Sequence, residues 1–256
     1  MKTLDLFSLK GKKGFITGAA RGIGKCLAEA FTEMGASIAI VDIDIKEAEK
    51  TAGELAARYS AHTIAIRCDV TDAEDVGRMM EAFIKEYDTI DFAINNAGIA
   101  NTYPAENISS KDFKKVVDIN LNGVFLTAQA AARQMIKEGK AGSIVNTASM
   151  SAHIINTPQM IANYCASKGG VLLLTKALAV EWAKYNIRVN CVSPGYMATE
   201  LVAEMKNMHE EWISKIPAGR LGVPEDLVGA YVYLLSDAAR YTTGTDLIVD
   251  GGYTSL

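Results

Sequence analysis

Residues 13–17, Lys-Gly-Phe-Ile-Thr, read as a short buried strand, and Gly18, Gly22 and Gly24 follow at once, before a helical pattern that runs through Met34. A strand that feeds a helix through glycines restricts a chain strongly. Glycine permits the tight turn and lets a ligand approach the backbone, while the amides at the helix amino terminus face an anion. Residues 37–41 repeat the apolar strand signal and end at Asp42, and 48–59 read as a helix, which completes a βαβ unit.

The alternation persists to the end of the chain. Strands at 63–67, 91–95, 143–147, 187–192 and 246–249 are separated by helical patterns at 73–87, 111–137, 164–185 and 224–236. This predicts an α/β fold: a Rossmann-type, doubly wound, mostly parallel sheet of about seven strands, with helices on both faces. The chain has 256 residues, 49% of them hydrophobic, with no Pro/Ser/Gly-rich linker and no repeat, so 1–256 reads as a single domain. One region is irregular. From Ser193 to Gly222 a polar helical piece at 199–214 leaves the carboxyl end of a strand, where it can fold over a ligand as a lid.

The formal net charge of -4, with no dense Lys/Arg run, argues against a nucleic-acid surface. The amino terminus lacks the apolar core of a signal peptide, and no apolar run reaches bilayer length, so a cytoplasmic protein without membrane partners is expected. Cys26, Cys68, Cys165 and Cys191 are far apart and show no metal-ligand spacing. Reduced, packed thiols and no metal are the expectation.

Asp42 closes the second strand eighteen residues past Gly24. A carboxylate there can accept hydrogen bonds from both ribose hydroxyls of a dinucleotide and repels a 2′-phosphate, so it favours NAD over NADP. Arg21 is the counter-evidence. Farther on, Tyr164 and Lys168 are four residues apart at the start of a helix and share a face. A free phenol titrates near about 10, and a cation beside it makes it a usable base.

Several motifs then fall in one order. Thr17-Gly18-x-x-x-Gly22-x-Gly24, Cys68-Asp69-Val70, Asn95-Asn96-Ala97-Gly98, Asn120 in Asp118-Ile-Asn-Leu, and Pro194-Gly195 with Thr199 together resemble the short-chain dehydrogenase/reductase family over nearly the whole chain. The resemblance implies catalysis by Asn120, Ser149, Tyr164 and Lys168, with Asn120 placing a water next to Lys168. It implies cofactor contacts from Gly18, Arg21, Gly22, Ile23, Gly24 and Asp42, from Asp69, Val70, Asn96, Ala97 and Gly98, and from Tyr164, Lys168, Pro194, Gly195 and Thr199. Family members pair two apolar helices across a dimer interface, and the apolar stretches 124–132 and 171–182 lead to the expectation of a homotetramer.

The segment Ser149-Met-Ser-Ala-His-Ile-Ile-Asn-Thr-Pro-Gln159 is similar to the SMSGxIxNxPQ stretch of polyol dehydrogenases and ketose reductases, galactitol and sorbitol types, with Ala152 in place of the glycine. That likeness implies a sugar alcohol or ketose held by Ser149, Ser151, Asn156, Gln159 and Tyr164. Reduction of a 3-oxoacyl thioester and oxidation of a hydroxysteroid use the same catalytic set and stay open. A non-catalytic NAD(P)-sensing protein is the rival from another class; the complete catalytic set speaks against it.

Overall fold

The apolar runs pair edge to edge in one sheet. The computed structural model describes residues 2–203 and 208–256. Within them the chain runs β1 (Lys13–Thr17), α1 (Gly22–Glu33), β2 (Ser37–Asp42), α2 (Ile45–Tyr59), β3 (Thr63–Arg67), α3 (Ala73–Tyr87) and β4 (Phe92–Asn95). It continues through α4 (Ser110–Val117), α5 (Gly123–Glu138), β5 (Gly142–Thr147), α6 (Ala162–Trp182), β6 (Ile187–Pro194), α7 (Glu200–Ala203), α8 (His209–Lys215), α9 (Glu225–Leu235) and β7 (Asp246–Val249). The strands are all parallel, in the order β3-β2-β1-β4-β5-β6-β7. Strand order reverses between β1 and β4, and there the carboxyl ends open into a crevice.

The strands carry apolar residues on both faces because both sheet faces are covered. Ile16, Ile38, Ile40, Val145 and Val192 pack under α1, α2 and α9, whereas Phe15, Ala39, Val41, Ile144 and Val189 pack under α3, α5 and α6. Successive residues alternate between the layers, and each fully buried Ile or Phe contributes about 1.5–3 kcal/mol. Asp44, Asp72 and Ser109 cap α2, α3 and α4 by accepting the amides of Glu47, Glu74 and Asp112. At α1 the cap position is Arg21, which supplies no acceptor, so its first amides stay available to an anion.

Two features depart from the regular pattern. The helix expected at 111–137 is broken by a π-helical turn, Asp118–Asn122, between α4 and α5. That wider turn accompanies the fully buried Asn120, whose amide bonds Ile99 and Ser167. A polar ladder also crosses the sheet: Thr127 of α5 donates to Asn95 of β4 at 2.7 Å, Asn95 to Asn146 of β5 at 2.8 Å, and Asn146 to Thr175 of α6 at 2.9 Å. Leaving one of these buried groups without its partner would cost about 1–3 kcal/mol.

After β6 the chain leaves the sheet and returns at Gly222. The base of this excursion is tied by Gly222 N–H to Tyr196 O at 2.9 Å and Ala198 N–H to Gly222 O at 2.7 Å. The helical piece expected at 199–214 is two short helices, α7 and α8, and its residues 204–207 lie outside the described residues.

Candidate active site

A cavity of about 620 Å³ lies at the switch point, within the ~300–1,000 Å³ range of small-molecule sites. Its wall takes Gly18, Arg21, Gly22 and Ile23 from the glycine turn, and Asp42 from the end of β2. Asp69 and Val70 come from after β3, Asn96, Ala97 and Gly98 from after β4, and Thr199 from the excursion. Gly24 stands behind the wall: a Cβ there would lie 2.4 Å from the Gly18 carbonyl oxygen and 2.8 Å from Ala19 Cα. Pro194 and Gly195 also lie off this wall, where Pro194 pairs with Val249 and Gly195 backs onto Asp250.

Each loop of the wall is braced. Asn96 Nδ2 donates to the carbonyls of Thr17 and Gly18, both at 3.1 Å. Asp42 accepts Ala20 N–H and Asp44 N–H, both at 3.1 Å, which holds its carboxylate at the cavity edge. Asp75, which the sequence did not single out, is buried and accepts Asp69 N–H at 2.8 Å. That amide, with Arg78 and Arg67, holds the Asp75 carboxyl below the usual carboxylate range. Asp44, Ile99, Ile119 and Glu200 complete the wall and were also missed. Of these only Asp44 carried a local signal, as a helix cap three residues before Glu47.

The first turns of α6 bring Tyr164 and Lys168 together. Lys168 is 4% exposed, donates from Nζ to Thr147 O at 2.7 Å and lies 5.7 Å from the centre of the Tyr164 ring. A Cβ on Gly98, a cavity residue, would be 3.6 Å from that Nζ, so the ammonium lies behind this part of the wall; Asn120, Ser149, Tyr164 and Lys168 are not themselves on it. Burial pushes Lys168 down from 10.5 to about 8. It also pushes the Tyr164 phenol up, with Ser149 opposing the rise. Both N–H groups of Asn120 are used, on Ile99 O at 2.9 Å and Ser167 Oγ at 3.1 Å, and its Oδ1 takes Ile99 N–H at 2.8 Å. The side chain therefore holds the strand exit after Gly98 against α6.

The Lys168 shift makes a stability statement. Below about 8 the folded and unfolded chains both carry the proton; between about 8 and 10.5 only the unfolded chain does, so stability rises with pH across that window. The full rise amounts to about 3 kcal/mol. Urea unfolding of the wild type and Lys168→Met from neutral pH to above pH 10 should show the wild type gaining on the variant in that window. A difference independent of pH would contradict the burial account.

Residues 149–159 fold back on themselves. Ser149, Ser151 and Asn156 are buried and hydrogen-bonded in series, and Gln159, half-buried, uses its Oε1 on Tyr196. The groups expected to meet substrate hydroxyls thus meet one another first, and of the Ser149, Ser151, Asn156 and Gln159 side chains only the Gln159 NH₂ makes no hydrogen bond among the described residues. His153 pairs with Asp246 at 2.6 Å, and Asp246 also accepts from Ser193 at 2.9 Å. It fastens this segment to the start of β7.

A cavity at the switch point, an uncapped helix amino terminus, a carboxylate at the ribose position and a phenol beside a buried ammonium fit a dinucleotide and define an oxidoreductase of the doubly wound class. The chain belongs to the short-chain dehydrogenase/reductase family. The family model described as Enoyl-(Acyl carrier protein) reductase matches residues 18–254. The chain is 44% identical over 255 residues to the sorbose reductase SOU1 of Candida albicans, covering 98% of this chain and 90% of that protein. It is 46% identical over 253 residues to a probable NADP-dependent mannitol dehydrogenase of Yarrowia lipolytica, with coverage of 98% and 90%. A crystal structure of a short-chain type dehydrogenase/reductase from Mycobacterium marinum superposes with a TM-score of 0.97 at 47% identity, covering 100% of both chains. The protein is therefore a nicotinamide-dependent alcohol dehydrogenase/reductase. No helix among the described residues is long and apolar enough to cross a membrane.

Proposed function

We propose that the protein interconverts a secondary alcohol of a sugar alcohol with the matching ketose, using NAD. The observation that carries the reaction is the buried Lys168 ammonium 5.7 Å from the centre of the Tyr164 ring, with Ser149 beside the phenol. Bound there, the nicotinamide supplies the two-electron acceptor. Tyr164 takes the hydroxyl proton as general base, and Ser149 holds the reacting oxygen. The Lys168 ammonium, 5.7 Å from the centre of the Tyr164 ring, supplies positive charge on the phenolate's side of the site, and Ser149 opposes the desolvation that raises the phenol. Asn120 positions the 98–99 backbone next to them. The excursion from Ser193 to Gly222 acts as a lid, with Thr199 beside the glycine turn and Trp212 of α8 buried.

Substrate class rests on the 149–159 segment together with relatives named for sorbose and mannitol. Coenzyme choice rests on Asp42. Arg21, the residue that could hold a 2′-phosphate, is paired with Asp44 at 2.9 Å, which leaves Asp42 to set the preference even though two relatives are named as NADP-dependent mannitol dehydrogenases. Homotetramer formation is supported by Leu173 and Val180 of α6, 70% and 80% exposed despite being apolar. Four unpaired cysteines fit the cytoplasm.

A panel of polyols with NAD and NADP, followed by reduced-coenzyme absorbance, tests the reading. Turnover of a polyol is expected, with kcat/KM favouring NAD by at least about tenfold, or ~1.4 kcal/mol. Asp42→Ser should narrow that ratio. A wild type that prefers NADP would remove the coenzyme assignment, and silence with polyols, hydroxysteroids and hydroxyacyl thioesters would remove the enzymatic one.

A further inference from the structure

Ser149 begins a chain of buried hydrogen bonds. Its Oγ donates to Ser151 Oγ at 3.2 Å, Ser151 Oγ donates to Asn156 Oδ1 at 2.5 Å, and Asn156 Nδ2 donates to the Tyr196 hydroxyl at 3.1 Å. Tyr196 in turn donates to Gln159 Oε1. Ser149, Ser151, Asn156 and Tyr196 are 7%, 5%, 2% and 8% exposed, so bulk water supplies no easy substitute for a lost partner.

The chain runs in one direction. Tyr196 gives its only proton to Gln159 and so accepts from Asn156; the amide then turns its oxygen to Ser151, which spends its proton there and accepts from Ser149. Packing fixes the Tyr196 ring independently of its hydroxyl. The ring stacks on Trp212 with centroids 4.2 Å apart and planes at 11°, and it meets Tyr253 edge-on at 5.6 Å. Its backbone carbonyl accepts Gly222 N–H at 2.9 Å at the base of the excursion. Removing the hydroxyl alone leaves all of these contacts in place.

We infer that Tyr196 is a positioning residue for Ser149: through Asn156 and Ser151 its hydroxyl fixes the direction of the Ser149 proton beside Tyr164 and the reacting oxygen, while Ser151 N–H holds the Ser149 oxygen itself at 3.1 Å. The inference rests on the dehydrogenase reading above. Tyr196 touches no reacting atom, and Gln159 is the far end of its chain. Without the Tyr196 hydroxyl the Asn156 amide is free to turn over, Ser151 can exchange its donor and acceptor roles, and Ser149 loses its single orientation.

Tyr196→Phe tests this in the whole enzyme. Misplacing a reacting group by about an ångström can cost on the order of 100-fold, so kcat for alcohol oxidation should fall by roughly tenfold or more while the dissociation constant for NADH, read by fluorescence, stays put. The acid limb of the kcat/KM–pH profile should move, because the Ser149 proton is no longer committed to Ser151 and can be shared with Tyr164; a purely structural defect does not produce that shift. Ser151→Ala breaks the same chain at its centre and should reproduce both changes, which keeps the test open if Tyr196→Phe fails to fold. Unchanged kcat and an unmoved profile in a folded variant overturn the inference. If the wild type turns over no alcohol, the dehydrogenase reading has failed instead. Amide hydrogen exchange over residues 150–159 then decides the positioning role, with faster exchange in Tyr196→Phe supporting it and equal exchange overturning it.

Discussion

Tyr164→Phe is expected to lower kcat for alcohol oxidation by about 10²–10⁴-fold, the usual contribution of one positioned acid–base group. Phenylalanine keeps the ring that packs at the start of α6 and removes only the oxygen that accepts the proton, so the fold and NADH binding should survive. The loss is large because no neighbour can take over: Lys168 is occupied at Thr147 O, and Ser149 is a far weaker base. Steady-state rates beside a fluorescence titration of NADH separate the two effects. A variant that keeps wild-type turnover would show that the proton goes elsewhere.

Gly24→Ala should produce the second large effect, on coenzyme binding. The added Cβ would come within 2.4 Å of Gly18 O and 2.8 Å of both Ala19 Cα and Asn96 Nδ2, closer than any Cβ sits to backbone. The Gly18 carbonyl cannot simply retreat, since Asn96 Nδ2 already holds it at 3.1 Å. Turn and helix must therefore part, and the amides of α1 lose their aim at the pyrophosphate. Calorimetry should show NADH affinity down by about 100-fold or more, or ~2.7 kcal/mol, with a folding cost of about 1–3 kcal/mol from overpacking. Gly53→Ala on the open face of α2, where a Cβ would meet nothing within 4 Å, serves as the control. It should stabilise the protein by about 0.5–1 kcal/mol and leave binding alone. Equal affinities in the two variants would defeat the close-packing explanation.

The fold was legible because each of its signals is local. Seven apolar runs separated by helical patterns leave little choice once the crossovers are right-handed, and the strand positions follow directly from residues such as Ile38-Ala39-Ile40-Val41, which are apolar on both sides. The motifs likewise placed the cavity wall, since the glycine turn, Asp42 and Asn96-Ala97-Gly98 each lie at a strand end. What escaped notice depends on distant pairings. Asp75 looks like an ordinary first-turn acid of α3 until its carboxylate is seen under Asp69 N–H. The pairing of Arg21 with Asp44 joins residues twenty-three apart, and no local pattern gives it. Tyr196, Trp212 and Tyr253 meet across three separated segments, and no periodicity announces that. The π-helical turn was hidden because the residues of 111–137 suit an unbroken helix.

The ladder from Thr127 through Asn95 and Asn146 to Thr175 has a consequence for engineering. Greasy layers tolerate sliding, because one aliphatic contact replaces another at little cost, whereas amides and hydroxyls bond at one spacing only. Thr175 lies two turns beyond Lys168 on the same helix, so this polar seam indexes α6 along its axis and with it the phenol and the ammonium. The aliphatic layers above and below can then be redesigned for heat resistance while the seam is kept, without retuning the reaction. A designer who greased the seam itself would obtain a stable protein with its chemistry out of register.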